Sequence, residues 1–271
     1  MKSDSRPIGI FDSGIGGLTV ANAIRKALPD ESFVYFGDTA HLPYGDKSPE
    51  SIRSYAAGIT KYLLSKKCKA VVIACNTASA HAFKKVVEIC GKDVPVINVI
   101  DPVAEYTAKK FDQCQVGVIG TKGTIQSRLY VQRIEKLNPK LKVISNATPL
   151  LAPMIEEGFF NNSISRTIIR NYLERPNFRK IQAIILGCTH YPLIAKEIKE
   201  ITGPQVEVID SSKVVATEVK SVLQSRGLLY TGSTVPRHRF YVSDKTEAFE
   251  RSTRIFFKEK IHLELVRLWD K

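Results

Sequence analysis

Short apolar runs alternate along the chain with stretches whose apolar residues recur at helical spacing. Several runs are continuously apolar, which is typical of strands buried on both faces of a parallel sheet. They predict strands at Pro7–Phe11, Phe33–Gly37, Ala70–Ala74, Val94–Ile100, Val116–Gly120, Lys142–Ser145, Ala183–Gly187, Val206–Ile209 and Arg239–Val242.

The stretches between the runs predict helices. Ser48 directly before Pro49 is a clear start signal, because serine caps a helix and proline suits its first position. The predicted helices are Gly16–Leu28, Pro49–Lys66, Ala78–Cys90, Pro102–Phe111, Thr124–Leu137, Ser163–Glu174, Pro192–Ile201, Ser211–Arg226 and Thr246–Phe257. Strands and helices in alternation predict an α/β fold with mainly parallel sheets and right-handed crossovers.

An internal repeat suggests that the fold is duplicated. The matching segments are Ile8–Ser13 with Val116–Thr121, Val71–Thr77 with Ile184–His190, and Val99–Asp101 with Val208–Asp210. They follow the same order at nearly equal offsets, which predicts two pseudo-symmetric α/β domains with equivalent residues on opposite walls of one cleft. Taking Ile97–Asp101 and Ile209–Ser211 as equivalent crossovers, we expect one domain from residues 1–97 plus 210–271 and another from 98–209.

Composition narrows the class of protein. The 271 residues are 44% apolar and 25% charged, which argues against disorder, collagen and coiled coil. The longest uncharged apolar run, Ala70–Cys75, is too short to span a membrane, and the first residues lack a signal-peptide core. We therefore expect a cytoplasmic protein with no membrane partner. Five cysteines without C-x-x-C spacing indicate reduced thiols.

The net charge of +13 raises the hypothesis of a nucleic-acid-binding module. Basic residues are interleaved with acidic ones along the chain, and they form no long basic block. We favour a solvated basic surface over a nucleic-acid site, and salt-dependent duplex binding would separate the two.

Two cysteines occupy the matching position of the repeat. Cys75 and Cys188 each follow a predicted strand and precede a predicted helix, and ligands of open α/β sheets lie beyond the carboxyl ends of the strands. A helix N-terminus favours thiolate, so we expect the pKa of both thiols to be lowered. Cys68, Cys90 and Cys114 lack this setting and are interpreted as structural.

Two thiols on facing walls suit a proton transfer that inverts a carbon centre, since one removes a proton while the other adds one to the opposite face. His190, two residues beyond Cys188, is a candidate partner for its proton. Polar residues near the strand ends that are candidates to stabilise the reacting molecule are Asp12, Ser13, Asn76, Thr77, Thr121, Thr124, Thr189 and His190.

Four segments resemble the cofactor-independent glutamate racemases of the aspartate/glutamate racemase superfamily. They are Gly9–Thr19, Tyr35–Gly45, Ala74–Ala80 and Gly187–Leu193. The resemblance implies that Cys75 and Cys188 are the acid/base pair, acting on D- and L-glutamate respectively. It also implies substrate binding by Asp12, Ser13, Tyr44, Gly45, Asn76, Thr77, Thr189 and His190.

The same resemblance implies further properties. The family uses neither pyridoxal phosphate nor a metal, supplies D-glutamate for peptidoglycan and is commonly dimeric, so we expect no cofactor and a homodimer. Ala152–Gly158 resembles the family's segment containing proline and glutamate, which makes Glu156 a candidate helper. The tail from Thr231 onwards matches weakly.

Three alternatives stay open. A nucleotide site on the glycine-rich turn lacks the third glycine of G-x-G-x-x-G, because Thr19 stands there. A zinc site from Cys75, Cys188, His81 and His190 lacks a compact ligand motif. Aspartate differs from glutamate by one methylene, worth only ~1–3 kcal/mol in an apolar pocket. The Pro43–Gly45 and Cys188–His190 signatures resemble the glutamate branch.

Overall fold

A computed structural model describes residues 4–257, 259 and 261–269. Its strands are β1 (Ile8–Asp12), β2 (Phe33–Gly37), β3 (Ala70–Ile73), β4 (Val96–Asn98), β5 (Gln115–Gly120), β6 (Lys142–Ala147), β7 (Ile181–Gly187), β8 (Glu207–Ile209), β9 (His238–Val242) and β10 (Leu263–Leu265). They form a six-stranded sheet in the order β10-β9-β2-β1-β3-β4 and a four-stranded sheet in the order β6-β5-β7-β8. Every strand pairing in the described residues is parallel, which confirms the predicted fold class.

The helices lie between the strands. They are α1 (Leu18–Ala27), α2 (Pro49–Ser65), α3 (Asn76–Cys90), α4 (Ile100–Lys110), α5 (Lys122–Gln126), α6 (Leu129–Leu137), α7 (Leu151–Glu156), α8 (Ser163–Leu173), α9 (Ala195–Thr202), α10 (Ser211–Ser225) and α11 (Glu247–Phe257). No helix in the described ranges is long and apolar enough to cross a membrane.

The two sheets share one topology. The order β2-β1-β3-β4 in the larger sheet matches β6-β5-β7-β8 in the smaller one. Phe11 lies opposite Ile73 in the first sheet, and Ile119 lies opposite Leu186 in the second, so Cys75 and Cys188 both stand two residues beyond matching positions.

The third match of the predicted repeat was wrong in register. Ile97 and Ile209 occupy equivalent places opposite Val72 and Ile185, so Asp210 corresponds to Asn98 and not to Asp101. Both side chains cap the helix that follows: Asn98 accepts from the N–H groups of Ile100 and Asp101, and Asp210 accepts from that of Ser212. The cap also explains why the predicted strand Val94–Ile100 stops at Asn98.

The crossover helices exchange sheets. Helix α4 follows β4 of the larger sheet but packs on α6, whereas α10 follows β8 of the smaller sheet and packs on α1. The chain therefore crosses between the two sheets twice, and the packing of α4 on α6 and of α10 on α1 holds the two halves of the fold together.

Two other predictions were wrong in detail. The predicted helix Thr124–Leu137 is two helices, α5 and α6, because Arg128 adopts a left-handed φ of 54° between them. The predicted helix Pro192–Ile201 begins as a 3₁₀ turn over Tyr191–Ile194 before α9. Helix α7 and strand β10 were not predicted.

Candidate active site

A cavity of about 140 Å³ lies where the carboxyl ends of the two sheets meet. It is smaller than the roughly 300–1,000 Å³ of pockets for drug-sized ligands, so it suits a small metabolite. Residues of both sheets line it: Ser13, Gly14, Leu42, Pro43, Tyr44, Gly45, Cys75, Asn76, Thr77, Thr121, Ala152, Pro153, Glu156, Gly187, Cys188, Thr189 and His190.

The cavity brings together most of the site residues predicted from the sequence. Two of the predicted residues, Asp12 and Thr124, do not line it. Both are buried directly behind the wall, where Asp12 accepts from the N–H of Gly14 and the Thr124 hydroxyl lies 3.2 Å from that of Thr77. The apolar part of the wall consists of Leu42, Ala152 and Pro153, which lie in segments that resemble the family but were not predicted as site residues.

Cys75 caps helix α3. Its sulfur accepts a hydrogen bond from the N–H of Ala78 at 3.4 Å and lies 3.7 Å from the hydroxyl oxygen of Ser13. Burial, and then the charge of Asp12, raises the pKa of the Cys75 thiol to about 12. The predicted lowering of this pKa was therefore wrong, because desolvation of the thiolate outweighs the N–H donor and the helix end.

Asp12 organises the glycine-rich turn after β1. One carboxylate oxygen, Oδ2, accepts from the N–H groups of Gly14 at 3.2 Å and Gly17 at 2.9 Å. The other, Oδ1, is buried and has no hydrogen-bond partner in the part of the chain that the structure describes. Burial raises the pKa of Asp12. Because Asp12 already occupies these N–H groups, the turn does not offer them to a phosphate, which weighs against the nucleotide site.

Cys188 has a different neighbourhood. It follows the last residue of β7, and α9 begins only at Ala195, so it does not cap an α-helix as Cys75 does. Its sulfur lies 3.6 Å from Nδ1 of His190, and Nε2 of the same ring lies 2.8 Å from Oε1 of Glu156. The three side chains form a line from sulfur to carboxylate, and all three line the cavity.

The charge of His190 follows from that line. Burial acts to lower its pKa, but the hydrogen bonds to Cys188 and Glu156 and their negative charges raise it to about 10. The imidazole is therefore protonated at neutral pH. A positive charge at this distance stabilises negative charge on the Cys188 sulfur.

The glycine-rich turn of the first sheet packs directly against the Cys188 wall. A Cβ on Gly16 would fall 2.4 Å from Cε1 of His190, so only glycine allows this approach. The hydroxyl of Thr19 donates to the carbonyl of Thr189 at 2.8 Å. The position of the His190 ring thus depends on residues of both sheets.

Further contacts cross the cleft beside Cys75. The hydroxyl oxygens of Thr77 and Thr121 lie 2.9 Å apart, and Tyr130 donates to Oδ1 of Asn76 at 2.8 Å. A Cβ on Gly45 would lie 2.7 Å from Cβ of Thr121. These contacts fix the distance between the two walls.

The alternative zinc site is not assembled in the described residues. His81 does not line the cavity, and its Nε2 lies 3.0 Å from the carbonyl oxygen of Gly123. Across residues 4–257, 259 and 261–269, no group of three or more His, Cys, Asp or Glu side chains is arranged to hold a metal ion.

Comparisons with known proteins give one consistent result. A sequence model of the Asp/Glu/Hydantoin racemase family matches residues 18–219. Glutamate racemase of Chlorobaculum parvum is 43% identical over 254 residues, which cover 94% of this chain and 93% of that protein. A crystal structure of glutamate racemase from Francisella tularensis in complex with D-glutamate aligns with a TM-score of 0.91 and 42% identity, covering 98% of this chain and 99% of that one. Glutamate racemase isoform RacE1 of Bacillus anthracis aligns with a TM-score of 0.92 and 36% identity, covering 97% and 98%.

Proposed function

We propose that this chain, which belongs to the Asp/Glu/Hydantoin racemase family and within it to the glutamate racemases, inverts glutamate with two thiols and no cofactor. The observation that carries the proposal is the placement of Cys75 and Cys188. They stand at equivalent positions of two related sheets and line one small cavity. We infer that a molecule bound there has a sulfur on each side.

The proton path has two half-steps. With L-glutamate bound, the Cys188 thiolate removes the Cα proton and becomes a thiol, while the electron pair stays on the substrate as a planar carbanion. The Cys75 thiol then gives its proton to the opposite face and becomes a thiolate, which yields D-glutamate. D-glutamate reacts by the same path in reverse, starting from Cys75.

A Cα–H beside a carboxylate is a weak acid, so the site must stabilise the carbanion. Exclusion of water from a buried cavity strengthens every fixed charge and dipole within it. We propose that Asp12 supports substrate binding from behind the wall, because it holds the turn whose residues Ser13 and Gly14 line the cavity. The substrate carboxylates are assigned to the polar groups around the cavity, namely Ser13, Tyr44, Gly45, Asn76, Thr77, Thr121 and Thr189.

Glu156 and His190 are assigned to the Cys188 half-step. The imidazolium, held by Glu156 at 2.8 Å, stabilises the thiolate before the proton is taken. Thr124 is assigned a supporting role, because its hydroxyl holds those of Thr77 and Thr121.

The test is incubation of purified, metal-free protein with L-glutamate in deuterated water. We expect loss of optical activity together with deuterium at Cα. Cys188→Ser is expected to lower the rate severely, because a hydroxyl is a much poorer base than a thiol, and Cys90→Ala serves as the matched control. Near-wild-type racemisation by Cys188→Ser would contradict the two-thiol scheme. Rapid inversion of aspartate without inversion of glutamate would change the proposed substrate from glutamate to aspartate.

We further propose that the enzyme acts in the cytoplasm as a homodimer and supplies D-glutamate for peptidoglycan, and hence for cell-wall formation and cell shape. Expression in a bacterium that requires added D-glutamate is expected to remove the requirement, and a Cys75→Ala variant is expected not to. Sedimentation velocity tests the dimer.

The domain boundaries proposed are residues 1–97 plus 210–271 and residues 98–209. Their support is the packing of α4 on α6 and of α10 on α1, which puts each crossover helix with the domain that follows its crossover. Limited proteolysis with cleavage near residues 98 and 210 would be the expected result.

A further inference from the structure

Asp38 lies directly after β2 and is fully buried. Its carboxylate receives side chains from three separate parts of the chain. Tyr44 donates to Oδ2 at 2.6 Å, while Ser243 donates to Oδ1 at 2.7 Å and Nε1 of Trp269 donates to Oδ1 at 2.9 Å. Nδ1 of His41 lies 3.0 Å from both oxygens. The buried carboxylate therefore ties the β2 loop to the end of the chain.

Two of these donors follow strands that have no counterpart in the smaller sheet among the residues that the structure describes. Ser243 follows β9 and Trp269 follows β10, the strands that extend the larger sheet beyond its four-strand unit. In the smaller sheet Thr148 takes the place of Asp38: its N–H donates to the carbonyl of Gly120, as that of Asp38 donates to Asp12. Within the described residues, the C-terminal extension thus adds this contact to the wall that contains Asp38.

The Trp269 ring packs against α2 in a site that we call the seat, formed by Tyr55 and Gly58 of α2 together with His41. It meets the rings of His41 and Tyr55 edge-on, with centroids 5.0 and 5.6 Å away. A Cβ on Gly58 would lie 2.7 Å from the indole ring, so glycine is needed there for the ring to pack. These contacts hold the indole N–H in line with Asp38.

The carboxylate connects this seat to the cavity. Tyr44 bonds to Asp38 through its hydroxyl and lines the cavity together with Gly45. Gly45 in turn touches Thr121 of the opposite wall. The contacts from Trp269 through Asp38 to Tyr44 therefore end at Tyr44 and Gly45, which line the cavity.

We propose that Trp269 is a positioning residue for glutamate binding: through Asp38 it clamps Tyr44 and Gly45 in the substrate-binding arrangement. The inference rests on the proposed function, because it concerns binding at that cavity. Trp269 touches no reacting atom, so its loss removes binding that substrate and transition state share. Such a loss raises KM and leaves kcat nearly unchanged.

The first experiment compares three variants. Trp269→Phe keeps a ring in the seat but removes the N–H donor, and Gly58→Ala crowds the seat and leaves the donor. We expect each to raise KM for both enantiomers about tenfold, the factor that 1.4 kcal/mol represents, with kcat changed less than about threefold. Leu265→Ala, exposed on the same C-terminal segment, is the control with unchanged KM. Trp269→Phe with wild-type KM would overturn the proposal.

A second measurement needs no variant. Trp269 is the one tryptophan of the chain, so its indole N–H gives a single NMR signal. If the clamp favours glutamate binding, glutamate must favour the clamp by the same factor. We expect saturating glutamate to slow exchange of that proton about tenfold, and unchanged exchange would contradict the clamp. Wild-type protein that fails to racemise refutes the proposed function instead, so the two failures are distinguishable.

Discussion

The two thiols occupy equivalent backbone positions but have unlike surroundings. Cys75 sits at the start of α3 among neutral donors, and burial together with Asp12 raises its pKa to about 12. Cys188 lies 3.6 Å from the imidazole nitrogen of His190, whose pKa is raised to about 10. The repeated fold places the sulfurs symmetrically, whereas the charged groups beside them differ, with Asp12 near Cys75 and His190 near Cys188.

The difference bears on the roles proposed for the two sulfurs. A thiol with a pKa near 12 is protonated at neutral pH, which suits Cys75 to the role of acid. In the proposed mechanism the charged His190 beside Cys188 supports that sulfur as the base that acts on L-glutamate. The enantiomers have equal free energies in water, which forces kcat/KM to be the same in both directions. The asymmetry must therefore show in single half-steps.

The largest effect is expected from removing one sulfur at a time. Cys75→Ala and Cys188→Ala should each lower racemisation more than about 1,000-fold, since general acid–base groups contribute 10²–10⁴-fold. Cys75→Ala should still exchange the Cα proton of L-glutamate in deuterated water, and Cys188→Ala only that of D-glutamate. Because Cys75 rests as a thiol, the second exchange should be the slower one. Equal exchange of both enantiomers by either variant would contradict the assignment of one enantiomer to each thiol.

His190→Asn comes next, because it removes the charge that distinguishes the two walls. We expect kcat/KM to fall about 100-fold, within the range for a group that supports proton transfer, and equally from either enantiomer. Exchange of L-glutamate by the double variant Cys75→Ala/His190→Asn should fall by a similar factor. Unchanged exchange there would show that His190 does not act on Cys188.

Glu156→Gln is expected to lower kcat/KM about tenfold, because glutamine keeps the shape of the side chain and removes its charge. The pH profile carries more information than the rate. With Glu156 present the pKa of His190 is about 10, so activity should decline as the pH rises through that value. Without the carboxylate the pKa of His190 falls, and the alkaline decline should move to lower pH. A profile that does not move would remove Glu156 from the scheme.

The strands and both cysteines could be predicted because parallel strands are local apolar runs and the repeat marks the positions after them. The surroundings of the two thiols could not be predicted. The helix-end argument predicted a lowered pKa for Cys75, but the sulfur is buried by residues remote in sequence, among them Ser13, whose hydroxyl oxygen lies 3.7 Å away. Desolvation by distant residues leaves no trace in the neighbouring sequence.

Contacts between remote segments were missed for the same reason. Trp269 stands in a segment with little apolar pattern, and it bonds to Asp38 across 231 positions of the chain. Strand β10 has only three residues, too few to show a period. Helix α7 contains Pro153, which argues against a helix unless it stands in the first turn, as it does here.

The smallest expected effect is on stability. The folded pKa of His190 lies above its ordinary 6.5, so its stabilising contribution is complete below that pH and is lost as the pH rises through about 10. Thermal unfolding of wild type and His190→Asn at pH 6 and pH 10 should show the gap between their midpoints shrinking by roughly 2–4 °C or more at the higher pH, the shift that 1 kcal/mol produces in a chain of this size.

Cys75 supplies the matched control on the other wall. Its pKa is raised from 9.0 to about 12, so the stability linked to its neutral form is kept up to pH 9 and lost only above it. Cys75→Ser, which retains a cap for α3, should therefore leave the change between pH 6 and pH 9 as in wild type, while His190→Asn reduces it. If both variants altered that interval alike, the two walls would share one charge state, and the resting asymmetry inferred from the structure would be wrong.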